Sequence, residues 1–287
     1  MVARDPHRFV NELDEAALER LIARLETRAQ DAVFARLLDK YSVELPRSPT
    51  ARILEVGCGT GAVLRRLARH GEFKGTAIGV DHCRQFIEAA SILSLTENTT
   101  GQLDFQVGDA HQLIFPTATF DAVIAHTLMS HVTSPEAVLR EMARVVRPGG
   151  MVVIFDGDYA SMTYACPDHD LGNQMDRALV DASFNNPRIM RELPRLLPRF
   201  GLRLMSAWGD AVVEIGSASY FKSFAQTYVP YVTKAGLLPV ETVEAWLSAQ
   251  QRAMEDGTFF AACNYYAYLA SRITPNGFEP NAQHAPG

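Results

Sequence analysis

The segment Ile53-Leu54-Glu55-Val56-Gly57-Cys58-Gly59-Thr60-Gly61 constrains this chain most. A short apolar run, Arg52–Val56, reads as a strand and passes directly into a turn with three glycines at alternate positions. Ala62–His70 follows with Val63, Leu64, Leu67 and Ala68 at helical spacing. Glycine admits backbone conformations closed to other residues and lets a ligand approach the main chain, while the helix behind the turn presents unpaired N–H groups. A strand, a glycine turn and a helix in that order predict a ligand site at the end of a buried strand.

The same alternation continues. Thr76–Val80 reads as a second strand, followed by a helix from about Arg84 to Leu95. Asp104–Val107 and Phe120–His126 read as the third and fourth strands. Pro135–Val146 is a helix with proline in its first turn, Arg147-Pro148-Gly149-Gly150 a tight turn, and Met151–Asp156 a fifth strand. Strands separated by helices of about ten residues imply βαβ units and a parallel sheet, covered on both faces. Unbroken apolar runs such as Val152-Val153-Ile154-Phe155 fit strands buried on both sides.

Residues 12–42 carry Leu18, Leu21, Ile22, Leu25, Phe34, Leu37 and Leu38 at helical spacing and predict one or two amphipathic helices, ended by Leu45-Pro46. Beyond Asp156 the alternation stops. Residues 157–186 read as a long irregular segment, of the kind that serves as a lid. A proline-flanked helix over 187–200, a sixth strand over Leu202–Ile215, helices within 218–255 and a last aromatic-rich strand, Thr258–Arg272, complete the pattern. One domain is expected: an N-terminal helical cap (1–48), a ligand-binding core (49–156), a lid with helical insert and last strands (157–274), and a frayed tail (275–287).

Composition narrows the partners. A net charge of −6 over 287 residues, with arginines such as Arg65, Arg66 and Arg69 spread at helical spacing, argues against a nucleic-acid footprint. No apolar run approaches the ~20 residues that span a bilayer, and the N-terminus lacks a signal-peptide core, so the chain reads as cytoplasmic with no membrane partner. Cys58, Cys83, Cys166 and Cys263 are scattered, without metal-ligand spacing, and read as free thiols. A metal site is not expected. A homodimer is left open.

Charge then discriminates between ligands. The glycines are spaced G-x-G-x-G rather than the G-x-G-x-x-G of a dinucleotide fingerprint, and Glu55 stands two residues before the first of them. A carboxylate repels a pyrophosphate and attracts an ammonium group. S-adenosylmethionine carries an ammonium and a sulfonium and no phosphate. Asp81 ends the second strand about 20 residues on, where a carboxylate accepts from ribose hydroxyls. Asp109 and Ala110 end the third strand and offer an acceptor and a backbone donor to an adenine edge. The alternative for each carboxylate is a helix cap or turn residue.

On these stretches, together with Phe120-Asp121-Ala122-Val123 and Leu139–Gly150, residues 51–156 resemble a class I S-adenosylmethionine-dependent methyltransferase, most like the quinone-biosynthesis type. The resemblance implies a Rossmann-like, doubly wound α/β fold of seven strands, the last antiparallel. It implies cofactor contacts at Glu55, Gly57, Cys58, Gly59, Gly61, Asp81, His82, Asp109, Ala110, His126 and Thr127. A general base for methyl transfer is sought among His126, His131, Asp156, Asp158 and His169; Tyr159, Phe224 and Tyr228 are the expected substrate wall. The expected acceptor is a small hydrophobic molecule, such as a quinone-like phenol or other secondary metabolite, methylated on oxygen or carbon. Competing readings keep the cofactor as a scaffold for a cyclase or isomerase, or make the chain a non-catalytic cofactor-binding partner.

Overall fold

The computed structural model describes residues 5–7, 9–69 and 72–274; the expected tail over 275–287 lies outside the described residues. Seven strands form one sheet: β1 (Arg52–Val56), β2 (Thr76–Asp81), β3 (Leu103–Val107), β4 (Phe120–His126), β5 (Val146–Tyr164), β6 (Leu202–Gly216) and β7 (Phe259–Arg272). Their order is β3-β2-β1-β4-β5-β7-β6, with β1 to β5 parallel and β7 antiparallel to both neighbours. This is the doubly wound sheet with an antiparallel last strand that the sequence implies. The chain reverses its direction of travel across the sheet between β1 and β4, and ligands bind in the crevice outside such a switch point.

Alternate residues of each inner strand enter different cores, as the period of two requires. Ile53, Ile124 and Val153 pack with Phe34, Leu37 and Tyr41 on one face, whereas Leu54, Val123 and Val152 pack with Leu139, Met142 and Leu193 on the other. The first face is covered by α2 (Ala32–Ser42), α3 (Ala62–Arg69), α6 (His169–Ser183), α8 (Tyr220–Lys234) and α9 (Val240–Glu255), while α1 (Glu15–Gln30) packs Leu18 and Leu21 with Cys83 and Phe86 in a separate cluster. The second is covered by α5 (Pro135–Val145) and α7 (Ile189–Leu196); α4 (Arg84–Thr96) connects β2 to β3. Asp14 and Asp31 cap α1 and α2, accepting from Ala17 N and Val33 N. Two separate helices therefore stand where one or two were expected.

The expected irregular segment over 157–186 is mostly regular. β5 runs eight residues past Asp156, because β7 is long enough to keep pairing with it: Asp156 faces Tyr266, Asp158 faces Asn264, and Thr163 faces Ala262 after a bulge. Mixed polar and apolar residues in 157–164 hide a strand whose Tyr159, Met162 and Tyr164 are buried. Asp168-His169-Asp170 is a helix start: the Asp168 side chain accepts from Asp170 N and Leu171 N, both at 3.0 Å. The turn expected at 147–150 is absorbed into β5 as an irregularity, with Gly149 at φ +75°. Among the described residues no helix is long and apolar enough to cross a membrane.

Candidate functional site

A cavity of about 430 Å³ opens at the switch point, within the roughly 300–1,000 Å³ of small-molecule sites. Its floor is the glycine turn. Gly57, Gly59 and Gly61 have φ of +68°, +53° and +73°, and Gly57 N and Cys58 N donate to Val80 O at 2.7 and 3.0 Å. The turn is thereby tied to β2. An alanine Cβ at Gly61 would strike the Phe105 ring, so both backbone conformation and space demand glycine there.

Glu55 faces this cavity almost fully buried, and its Oε2 has no hydrogen-bond partner among the described residues. Burial, then the charge of Asp81, raises its pKa well above the ordinary 4.5. A cationic group seated there would give Oε2 its missing partner and favour the ionised form. The Asp81 carboxylate accepts from Gly59 N and Cys83 N, both at 2.9 Å, and burial raises its pKa too. Each oxygen retains a lone pair for a hydroxyl donor. The ammonium and ribose hydroxyls of S-adenosylmethionine fit this donor and acceptor set.

Gly57, Cys58, Gly59, His82, Asp109, Ala110, His126 and Thr127 also line the cavity, whereas Gly61, the last glycine of the turn, does not. Asp109 accepts from His111 N and Nδ1 at 2.8 and 2.7 Å; burial opposes ionisation, yet these bonds prevail and hold its carboxyl below the usual value. Burial, then Arg28, depresses His126 well below 6.5, and the ring lies 2.7 Å from the Tyr41 hydroxyl and stacks on Phe155. His126 is a neutral, anchored imidazole. Thr127 has φ +53°, rare for a β-branched residue, and its Oγ1 accepts from Arg28 at 2.8 Å.

The candidate bases separate. His131 lines the cavity, with its Nδ1 on both oxygens of Asp5 at 3.0 and 3.1 Å. Asp156, Asp158 and His169 lie outside the lining. Asp156 accepts from Ser130 N and Gly157 N at 2.9 and 2.8 Å, stapling the loop after β4 to β5. Asp158 is held by the Arg191 guanidinium at 2.7–3.0 Å, facing α7. His169 is exposed in the first turn of α6. Tyr159, Phe224 and Tyr228, expected as substrate wall, do not reach the cavity surface either. They pack behind it: Tyr159 stacks on Phe184 at 3.6 Å, and Phe224 meets Tyr228 at 4.5 Å.

The N-terminal helices supply lining that sequence reasoning did not name. Leu25, Glu26, Arg28 and Phe34 line the cavity, with Leu25 and Glu26 lying against the turn. Glu26 accepts from the Thr60 hydroxyl at 2.5 Å and from Arg65 at 2.6 and 2.7 Å; Arg66 pairs with Asp39. Arg24 is buried against Tyr220, Phe224 and Tyr228, about 5 Å from each ring centre. Charged residues interleaved with the apolar positions of α1 were the available signal, but their partners are remote in sequence. Among the described residues no His, Cys, Asp and Glu cluster could hold a metal ion.

Residues 54–154 match the family described as Methyltransferase domain. A 37.1 kDa protein of a Streptomyces fradiae transposon is 30% identical over 80% of this chain and 65% of its own length. The 27-O-demethylrifamycin SV methyltransferase of Amycolatopsis mediterranei is 30% identical over 46% of this chain and 47% of its own. The chain thus spans about half to two thirds of these relatives. Among solved structures, geranyl diphosphate C-methyltransferase from Streptomyces coelicolor A3(2), bound to Mg2+, geranyl diphosphate and S-adenosyl-L-homocysteine, aligns with a TM-score of 0.52. It is 15% identical and covers 83% of this chain and 77% of its own, which is a likeness of fold. Residues 54–154 are thus similar to a methyltransferase domain of the S-adenosyl-L-methionine-dependent kind.

Proposed function

We propose that this protein transfers a methyl group from S-adenosyl-L-methionine to a hydroxyl of a small hydrophobic acceptor, with His131 as general base. One observation carries the reading: a single cavity joins Glu55, Asp81 and the glycine turn to the His131 imidazole. When bound, the cofactor supplies an electrophilic methyl, whose bond to sulfur breaks with its electron pair as the new bond to oxygen forms.

The chain's own residues position and deprotonate. Glu55 holds the ammonium, Asp81 the ribose, Asp109 and Ala110 the adenine edge, with His82 beside the ring and Gly57 and Gly59 against the amino-acid part. Holding two reactants in line supplies a large share of the acceleration. His126, kept neutral, lines the methionine end without repelling the sulfonium. His131 accepts the hydroxyl proton, a contribution of about 10²–10⁴-fold for a positioned base. Helices α1 and α2 cover the turn and exclude water. A hydroxyl acceptor uses His131, and the rifamycin relative's name supports oxygen over carbon; quinone-like phenols belong to the same class.

The test is S-adenosyl-L-homocysteine formation against a panel of catechols, naphthols, hydroquinones and hydroxylated polyketide lactones, with calorimetric binding of S-adenosyl-L-methionine alongside. Turnover on a phenolic or hydroxylated compound, lost in His131→Gln with cofactor affinity retained, is the expected result. Cofactor binding without turnover on any compound, or unchanged turnover in His131→Gln, would overturn it.

A further inference from the structure

We propose that Asp5 is the positioning residue of His131: the N-terminal segment supplies the carboxylate that fixes which ring nitrogen is bare and that favours the imidazolium formed as the proton arrives. The inference rests on the reading of His131 as base.

Asp5 is fully buried and 126 residues from its partner. Its φ of +55° is sparsely populated by residues other than glycine, and such conformations persist where surrounding contacts dictate them. Those contacts are present. Asp5 N donates to Ala182 O at 2.9 Å, tying the segment to the end of α6, and His7 N donates to Asp5 Oδ1 at 3.0 Å. On the other side, Asn185 Nδ2 donates to the His131 carbonyl. The His131 backbone and the Asp5 carboxylate are each held by bonds that do not depend on the pair.

The chemistry follows from this geometry. A carboxylate only accepts, so in the neutral ring Nδ1 carries the proton and Nε2 the lone pair. The acceptor's hydroxyl proton moves to Nε2, and the ring becomes a cation bonded to Asp5. A buried carboxylate hydrogen-bonded to the far nitrogen holds the tautomer and stabilises that cation. Asp156, buried nearby and bonded to Ser130 N and Gly157 N, adds field without touching the ring's Nδ1. The competing charge is His7, whose ring centre is 4.5 Å from that of His131. Burial, then His131, Arg24 and Arg28, depress its pKa well below 6.5, and its Nε2 lies 2.8 Å from the Tyr228 hydroxyl. Burial thus disfavours a second positive charge on His7 beside the pair.

A purely structural tie would need only an acceptor for Nδ1–H. Asp5→Asn retains shape and an acceptor oxygen but removes the charge, and its amide can also turn to donate. The two roles thus separate in one variant. The full chain, saturated with S-adenosyl-L-homocysteine, is labelled with 15N-histidine, and the His131 signals are assigned by their loss in His131→Gln. The wild type should show protonated Nδ1 and bare Nε2. Asp5→Asn should give a mixture of both tautomers, and Asp5→Glu should restore the single form. With the acceptor found by the panel, Asp5→Asn should lower kcat about 10²-fold, with acceptor KM and S-adenosyl-L-homocysteine affinity within about threefold. A wild-type ring protonated on Nε2, or an unchanged spectrum and kcat in Asp5→Asn, would overturn the assignment of Asp5. Failure of the wild type to bind S-adenosyl-L-homocysteine would instead overturn the underlying methyltransferase reading.

Discussion

Arg65 of α3 donates to both carboxylate oxygens of Glu26 on α1, at 2.6 and 2.7 Å, so the helix behind the glycine turn grips the helix that covers it. The Arg65 side chain is only 3% exposed and also pairs with Glu97. A buried guanidinium with fixed donors is a rigid anchor, and Glu26 is the part of the cap that engages it.

Glu26→Gln should therefore loosen the cap without emptying the anchor, because Glu97 still neutralises Arg65. A hydrogen bond to a charged group contributes about 1.5–3 kcal/mol. The expected outcome is a melting temperature lower by several degrees and faster dissociation of S-adenosyl-L-homocysteine, measured by stopped-flow displacement. An unchanged off-rate would mean that the cap does not gate the cavity.

Asp81→Ala should weaken S-adenosyl-L-methionine binding by about 1.5–3 kcal/mol, the cost of losing bonds to a charged acceptor. It also removes the acceptor for Gly59 N and Cys83 N. Calorimetry decides: affinity within twofold of wild type would remove Asp81 from the cofactor site.

Glu55 makes stability and affinity depend on pH in opposite directions. Below pH 4.5 the carboxyl is protonated in folded and unfolded chains alike and contributes no slope. Between 4.5 and its raised folded value only the unfolded chain ionises, so the unfolded state binds fewer protons and stability falls as pH rises. An ammonium group reverses the preference, so cofactor affinity should rise across that window with proton release. Binding enthalpies in buffers of different ionisation heat measure the release, and Glu55→Gln should abolish it.

Asp158→Asn should cost stability and leave cofactor affinity alone. Its carboxylate is 2% exposed and held by three N–H···O contacts from Arg191, whose side chain is half exposed. A loss of about 1–3 kcal/mol in denaturant unfolding is expected, with S-adenosyl-L-methionine affinity within twofold. A fall in affinity as large as that of Asp81→Ala would place Asp158 in the site after all.

Much of this molecule is written locally. The Ile53–Gly61 segment specifies its own strand, turn and helix start, because apolar period, glycine conformation and backbone N–H groups act over a few residues. The strand ends that carry Glu55, Asp81, Asp109 and His126 converge because parallel strands joined by right-handed crossovers leave their C-terminal ends on one edge. That is why the cavity and most of its floor were legible in the sequence. The extension of β5 was not, since 157–164 becomes a strand only when β7 pairs with it from about a hundred residues away.

The surroundings of the candidate bases belong to tertiary structure alone. The sequence offers Asp156, Asp158 and His131 alike as candidate bases by position. Contacts distinguish them: Asp156 satisfies backbone N–H groups, Asp158 is claimed by Arg191, and His131 keeps an open place on the cavity with Asp5 behind it. Asp5, Glu26 and Arg28 carry no local motif. The glycine loop and the order of acidic strand ends determine where the cavity and its floor lie. Which side chains close over it depends on ion pairs and hydrogen bonds between segments far apart in the chain, and those exist only once the sheet has brought the segments together.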